Sequence, residues 1–277
     1  MSIRLFESIK HANIYAKYRA TVADNVIKAI LEYLGHKLPT NQWDTVVDVG
    51  CGTGQGTNSI APYFKHCYGF DVSAAQIKVA KESPHADNVQ FEVCPAESLP
   101  SITANSVQLV TAFQCVHFID FDKFIDETSR VLADNGVLAL VGNQIGDTID
   151  PCNPDDRTIA KLVYDTRRDP RMMAYNHPNR SQLENYYRDY KFPANYEYHY
   201  LDNITATKTV TAADILGRIE SASRYQSLAS NEPQTAKKLS QEFTDNLKSL
   251  LKCEDLSAKQ LTMNYNYFIA MGRKISN

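Results

Sequence analysis

The sequence predicts an α/β protein built on a mostly parallel sheet, and three observations carry that prediction. Short apolar or alternating runs recur at 45–49, 68–71, 89–93, 107–113 and 137–141, in alternation with helical patterns. The first run, Val46, Val47 and Val49, ends in glycines at every second position: Gly50, Gly52, Gly54 and Gly56. The chain of 277 residues is 43% apolar and 22% charged, a globular composition with enough length for a large core. A strand, a glycine loop and a helix in that order make a nucleotide-type cofactor site. The loop amides and the helix N-terminus point outward there, and glycine lets the backbone approach a ligand closely.

Composition excludes several classes. The net charge of −3 argues against a broad nucleic-acid surface. No apolar run approaches the roughly 20 residues of a membrane span, and the N-terminus lacks a signal-peptide apolar region. The six cysteines form no CxxC pair and no Cys/His cluster at zinc spacing, so no metal site is expected. They read as reduced, mostly buried thiols in a cytoplasmic protein. The oligomeric expectation is a monomer or a homodimer.

In chain order, Phe6 to Arg19 is rich in aromatic and basic side chains without a clean apolar stripe. It reads either as a surface helix or as a flap, residues 1–20, that covers a bound cofactor. Val22, Val26, Ile27, Ile30, Leu31 and Leu34 mark the next helix, with Gly35 as its stop. The glycine loop leads into a helix carrying Thr57, Ile60 and Phe64. The second strand ends at Asp71, 21 positions beyond Gly50, and Ser73 to Gln76 reads as a capping box. An acid at that strand end is placed to accept both hydroxyls of a ribose. The third strand ends before Cys94 to Leu99, and the fourth runs into Gln114, Cys115, Val116, His117, Phe118. Asp134-Asn135-Gly136 reads as a turn before the fifth strand. Beyond Gly142 the pattern changes. Ser181 to Glu184 reads as a second cap, 196–201 as a strand, 211–228 and 236–251 as amphipathic helices, and 263–270 as a last strand. Two late strands would complete a Rossmann-like seven-stranded sheet with helices on both faces. Insertions at 146–195 and 205–255 would build a helical lid for substrate.

The dinucleotide fingerprint requires Gly or Ala at the sixth position of GxGxxG. Counted from Gly50 that position is Gln55, and from Gly52 it is Thr57. What stands here is Asp48-x-Gly50-x-Gly52-x-Gly54, which resembles motif I of the class I S-adenosylmethionine-dependent methyltransferases. The resemblance implies a single methyltransferase domain over 1–277 with a cofactor-binding core at 40–142, and S-adenosylmethionine as cofactor. It implies that Gly50, Cys51, Gly52 and Gly54 lie against the cofactor, that Asp48 helps hold its amino group, and that Asp71 and Val72 meet the ribose side. Ala96 and Glu97 take the adenine-contacting positions. A closer resemblance is to the trans-aconitate methyltransferase-like (type 11) group, through Tyr15-Ala-Lys-Tyr18-Arg19 and Gln114-x-x-His117-Phe118. That resemblance adds Tyr18, Arg19 and Gln114 to the cofactor set. The group usually carries proline where this chain has Ala20, and tryptophan where it has Phe118.

Methyl transfer from a sulfonium requires mainly alignment and exclusion of water. A carboxylate nucleophile needs no base, whereas an alcohol or amine can require one. His117 is the candidate catalytic residue, with a structural role as the alternative. Gln114 either contacts the cofactor, orients substrate or caps the strand end. Arg167, Arg168, Arg171, Arg180, Arg218 and Arg224 suit a small acid bound bidentately, and several tyrosines between Tyr164 and Tyr200 are candidate pocket walls. The expected function is methylation of a small molecule, with O-methylation of a carboxylic acid foremost. N-, S- or C-methylation of another metabolite, and a non-catalytic binding protein on the same fold, are the alternatives.

Overall fold

Alternation along the strands decides the layers. The computed structural model describes residues 6–19 and 21–275. Its sheet comprises β1 (Trp43–Val49), β2 (Phe64–Asp71), β3 (Val89–Val93), β4 (Val107–Phe113), β5 (Leu132–Ile149), β6 (Tyr196–Thr211) and β7 (Gln260–Lys274). Val46, Leu109 and Val137 belong to one buried apolar cluster, and their neighbours Val47, Val110 and Leu138 to another. A sheet covered on both faces requires such near-continuous apolar strands. The order is β3-β2-β1-β4-β5-β7-β6. β1 to β5 pair in parallel, and β7 runs antiparallel to both β5 and β6. The order reverses between β1 and β4, so the crevice for a ligand lies at their C-terminal ends.

The helices covering the first half are α1 (Ile9–Tyr18), α2 (Asp24–Gly35), α3 (Gln55–Ile60), α4 (Ala74–Glu82) and α5 (Phe121–Val131). Ile30, Leu34, Ile60 and Ile77 fill one face, and Phe124, Ile125 and Val131 fill the other. The capping box expected at Ser73 is only half formed. Ser73 Oγ accepts from the Gln76 amide at 3.2 Å, but the Ser73 amide already donates to Asp71 Oδ1 at 2.8 Å. Gln76 is therefore released from capping.

The second half follows as α6 (Thr158–Arg167), α7 (Pro170–Met173), α8 (Arg180–Glu184), α9 (Ala212–Glu220), α10 (Ser223–Asn231) and α11 (Pro233–Leu251). Several expectations are corrected here. The fifth strand does not stop at Val141. Residues 143–149 continue β5 as a mixed polar and apolar stretch paired to β7 except at Gly146 and Asp147, and residues 143–147 line the neighbouring cavities. Residues 205–211, expected in a helical insertion, are the end of β6. The cap at Ser181 is absent. α8 starts at Arg180, with Asn179 in the cap position and no side-chain cap. The amphipathic stretch 211–228 is two helices. α9 has a full capping box from Thr211 and Asp214, and Ala222 is extended before α10. The Ser221 carbonyl at that break meets Nε2 of His11 in α1 at 3.0 Å.

Gly142 pairs with Phe268 across β5 and β7, and a Cβ there would stand 2.1 Å from the Phe268 ring. Gly142→Ala should therefore destabilise the protein by about 1–3 kcal/mol through overpacking. Gly142→Ala with Phe268→Leu should recover part of that loss, as read by urea unfolding. Equal stability of wild type and the single variant would show that this contact yields freely.

Candidate cofactor and acceptor site

The glycine loop turns because three of its residues take backbone angles that favour glycine. Gly50, Gly52 and Gly54 have φ of 58°, 58° and 88°. A side chain at Gly50 would also strike Cys115, whose Sγ would stand 2.7 Å from its Cβ. Only hydrogen at position 50 allows the loops after β1 and β4 to touch. Asp48 lies at the base of this contact with no exposed surface. Thr57 Oγ1 of α3 donates to its Oδ2 at 2.6 Å, and Thr111 Oγ1 of β4 donates to its Oδ1 at 2.8 Å. Burial raises the Asp48 carboxyl to about 7. The two hydroxyls pull it down and the charge of Asp71 pushes it up.

Asp71 is held at the end of β2 by two amides, Gly52 N–H to Oδ2 at 2.9 Å and Ser73 N–H to Oδ1 at 2.8 Å. Burial raises its carboxyl as well, against those two bonds. Beside it, Val72 is 61% exposed, unusual for a valine next to a core strand. Gln76 is buried, and its Oε1 has no partner among the described residues. That oxygen stands 3.9 Å from where a Cβ on Gly52 would lie, facing the loop. Ala96 is buried. Glu97 Oε1 accepts from the Asp120 amide at 2.9 Å, so it fastens the start of α5.

Two joined cavities lie over these groups. The inner one is lined by Asp48, Gly50, Cys51, Gln114, Arg19 and Tyr15, among others. The outer chamber is lined by Gln114, His117, Phe118 and by side chains from α1, α6, α9 and α10. Gln114 borders both. Its backbone is left-handed at φ 60°, its amide donates to the Val141 carbonyl at 2.8 Å, and its Nε2 donates to the Asn143 carbonyl at 3.1 Å. Such a strained angle persists only where neighbours hold it. Tyr18 lines neither cavity. Its ring lies against Gly217 of α9, where a Cβ would stand 2.4 Å away. Tyr15, one turn earlier, lines both cavities instead. The sequence points to the Tyr-Arg pair. The helical phase of α1, visible only in three dimensions, picks the other tyrosine.

His117 is buried in the chamber wall, and its Nδ1 meets the hydroxyl of the buried Tyr187 at 3.1 Å. Burial lowers it to about 3, with further push from Arg180 and His177. It is a neutral imidazole throughout the physiological range. Around it stand five arginines: Arg19, Arg167, Arg180, Arg218 and Arg224 all line the chamber. Arg218 and Arg224 are buried, and burial lowers each to about 10. Nitrogens of Arg19, Arg180, Arg218 and Arg224 are buried without partners among the described residues. Arg180 has one carboxylate nearby, Glu184 at 3.8 Å. Of the six arginines singled out in the sequence, four converge here. Arg171 is tied instead to Asp169 and Glu242, each at 2.7 Å, and Arg168 lies outside the chamber.

The inner cavity fits S-adenosylmethionine. Asp48 lines it as a carboxylate and Arg19 as a guanidinium, while Asp71 and the unpartnered Gln76 oxygen stand at the adjoining glycine loop.

Residues 47–140 match a family model described as a methyltransferase domain. A candidate methyltransferase of Dictyostelium discoideum is 27% identical over 94% of this chain and 92% of its own length. A probable S-adenosylmethionine-dependent methyltransferase of Saccharomyces cerevisiae is 24% identical over 97% of this chain and 96% of its own. A solved structure of a candidate type II methyltransferase from Anaeromyxobacter dehalogenans shares the fold, with a TM-score of 0.69 at 23% identity over 94% of this chain and 100% of that one. Residues 47–140 thus carry a methyltransferase domain, and over nearly its whole length the chain is similar to S-adenosylmethionine-dependent methyltransferases.

Asp48 gives this site a pH signature. Its raised folded pKa means the ionised form is disfavoured in the empty protein below about 7. A cationic cofactor favours the ionised form, so binding releases a proton there. Affinity for S-adenosylmethionine should rise with pH up to about 7 and level off above. Asp48→Asn should weaken binding and flatten the profile between pH 5.5 and 7. A wild-type profile already flat over that range would remove Asp48 from the cofactor site. Calorimetry across pH makes the measurement.

Proposed function

We propose that the chain is a class I S-adenosylmethionine-dependent methyltransferase that methylates a carboxylate oxygen of a small, multiply anionic molecule. The observation that carries the reading is the arginine chamber. Five guanidiniums surround one cavity; four have a buried nitrogen without a hydrogen bond among the described residues, and of these Arg180 has Glu184 in ionic reach at 3.8 Å. Burying unpaired charge is costly. Arginine does not escape that cost by deprotonating near neutrality. A chamber so built demands an anion, and guanidinium matches carboxylate bidentately.

In this reading Arg19, which borders both cavities, meets the carboxylate of the cofactor, and Arg180 and Arg224 meet the acceptor. Asp71 takes the ribose hydroxyls, Asp48 the ammonium, and Val72, Ala96 and Glu97 surround the adenine. Bound S-adenosylmethionine supplies a methyl group already activated on sulfur. The chamber residues would hold a carboxylate oxygen in line with that methyl group, whose transfer would leave the bonding pair on the thioether. No proton needs removal from a carboxylate. His117 supports this choice, since an imidazole held to about 3 is a poor base for an alcohol or amine. It orients the acceptor through hydrogen bonding, with Tyr187 fixing the ring. The chamber walls from α1, α6, α9 and α10 exclude water. The six cysteines are free, which supports a reducing, cytoplasmic setting.

The direct test is a screen of small mono-, di- and tricarboxylic acids, amines and thiols with labelled cofactor, followed by mass spectrometry. Methyl esters of the polyacids are expected, and labelled amines or thioethers alone would overturn the reading. Arg224→Met should raise the acceptor KM by about 10- to 100-fold. It should leave cofactor affinity unchanged and leave the empty protein as stable or more so. Asp71→Ala should reduce cofactor affinity at least tenfold while circular dichroism stays native. Retained affinity would show that the ribose is held elsewhere.

A further inference from the structure

A third cavity adjoins the chamber. It is walled by α6, α8 and the extension of β5 at residues 143–147. Arg167, Arg180 and Arg224 line both cavities, as do Val163, Leu183 and Ile145. These six side chains form a partition, cationic in part and apolar in part. A guanidinium carries five N–H donors in a planar fork, so it can serve anions on both of its sides. Arg157, Lys161 and Arg168 line only the third cavity. Arg157 is paired with Asp147 at 3.3 Å and Lys161 with Asp165 at 2.5 Å. Arg168 has no carboxylate partner among the described residues. Its guanidinium is stacked 4.0 Å from the Tyr164 ring centre, and Tyr164 is itself exposed at the cavity wall. That stacking holds the cation ready without neutralising it.

The geometry points to a second anion subsite in this third cavity. It takes a carboxylate or phosphate at the far end of an elongated acceptor whose near end is methylated in the chamber. Val163, Leu183 and Ile145 then cover the apolar chain between the two ends. The inference rests on the carboxylate reading of the chamber. It adds that the acceptor is anionic at both ends and that its length is read.

The test uses the full chain saturated with S-adenosylhomocysteine. Calorimetry measures binding of α,ω-dicarboxylates of increasing length, of monocarboxylates of matched length, and of inorganic phosphate alone. Beyond a threshold length, dicarboxylates should bind about tenfold tighter than the matched monocarboxylates. Arg168→Gln combined with Arg157→Gln should erase that gain and leave the shortest acids unaffected. Phosphate should compete with the long diacids and not with the shortest acids. If the diacids show no advantage at any length, or if the double variant weakens short and long acids alike, the subsite is overturned while the chamber reading stands. If no carboxylate binds, the chamber reading fails. Phosphate binding that the double variant abolishes would then retain the subsite, and its absence would remove both.

Discussion

A carboxylate without exposed surface lies where the sheet reverses direction, and the active edge of the molecule depends on it. Asp48 must have hydrogen-bond donors to be buried there, and it finds one in β4 through Thr111 and one in α3 through Thr57. These two bonds pin the strand before the glycine loop to the helix after it and to the neighbouring strand. The loop is thereby held in left-handed turns, with its Gly52 amide directed to Asp71 at the end of β2. Gly50 then permits the loop after β4 to close against it through Cys115. Gln114, next in that loop, is consequently forced into its own strained angle and borders both cavities.

The first half of this arrangement is legible in the sequence because each element there announces itself locally. β3 and β4 fall at 89–93 and 107–113 as their alternation and apolar run imply, and Asp71 ends β2 as its spacing from Gly50 implies. The seven-stranded sheet and its two late strands follow from the same periodicity. The second half is less legible, for a physical reason. The tail of β5 mixes polar and apolar residues, those at 143–147 line cavities, and its pairing to β7 is interrupted at Gly146 and Asp147, so alternation fails. The break at Ser221 depends on His11, 210 positions away, which no local pattern encodes. The arginines are scattered along the sequence from 167 to 224. Only the fold shows that Arg167, Arg180, Arg218 and Arg224 point into one space while Arg171 is neutralised elsewhere. The sequence presents Gln76 as half of a capping box, whereas in the fold Asp71 occupies the Ser73 amide and the buried Gln76 oxygen is left without a partner among the described residues.

α1 bridges the two halves. Its His11 and Tyr18 are anchored to α9 and the Ser221 break, while Tyr15 faces Gly52 of the glycine loop. The helix is therefore held by the C-terminal helices yet presents Tyr15 and Arg19 to the cofactor cavity. The single apolar cluster running from Val46 and Leu109 through Ile215 to Phe243 gives that bridge a common support.

The arginine chamber also has a consequence for turnover, set by charge arithmetic. A sulfonium approaching five guanidiniums is repelled, and a polyanion arriving beside it relieves that repulsion. By linkage, each ligand then strengthens the other's hold to the same degree. In the proposed carboxylate methylation, transfer would cancel the sulfonium's positive charge and one negative charge of the acceptor in the same event. The chamber would keep all of its own. An ester that has lost a negative charge would grip the guanidiniums less tightly than the acid did, and a neutral thioether would no longer draw an anion to its side. Such a reaction would dissolve the attraction that assembled its partners, and the site would be driven to empty by the chemistry it had just completed.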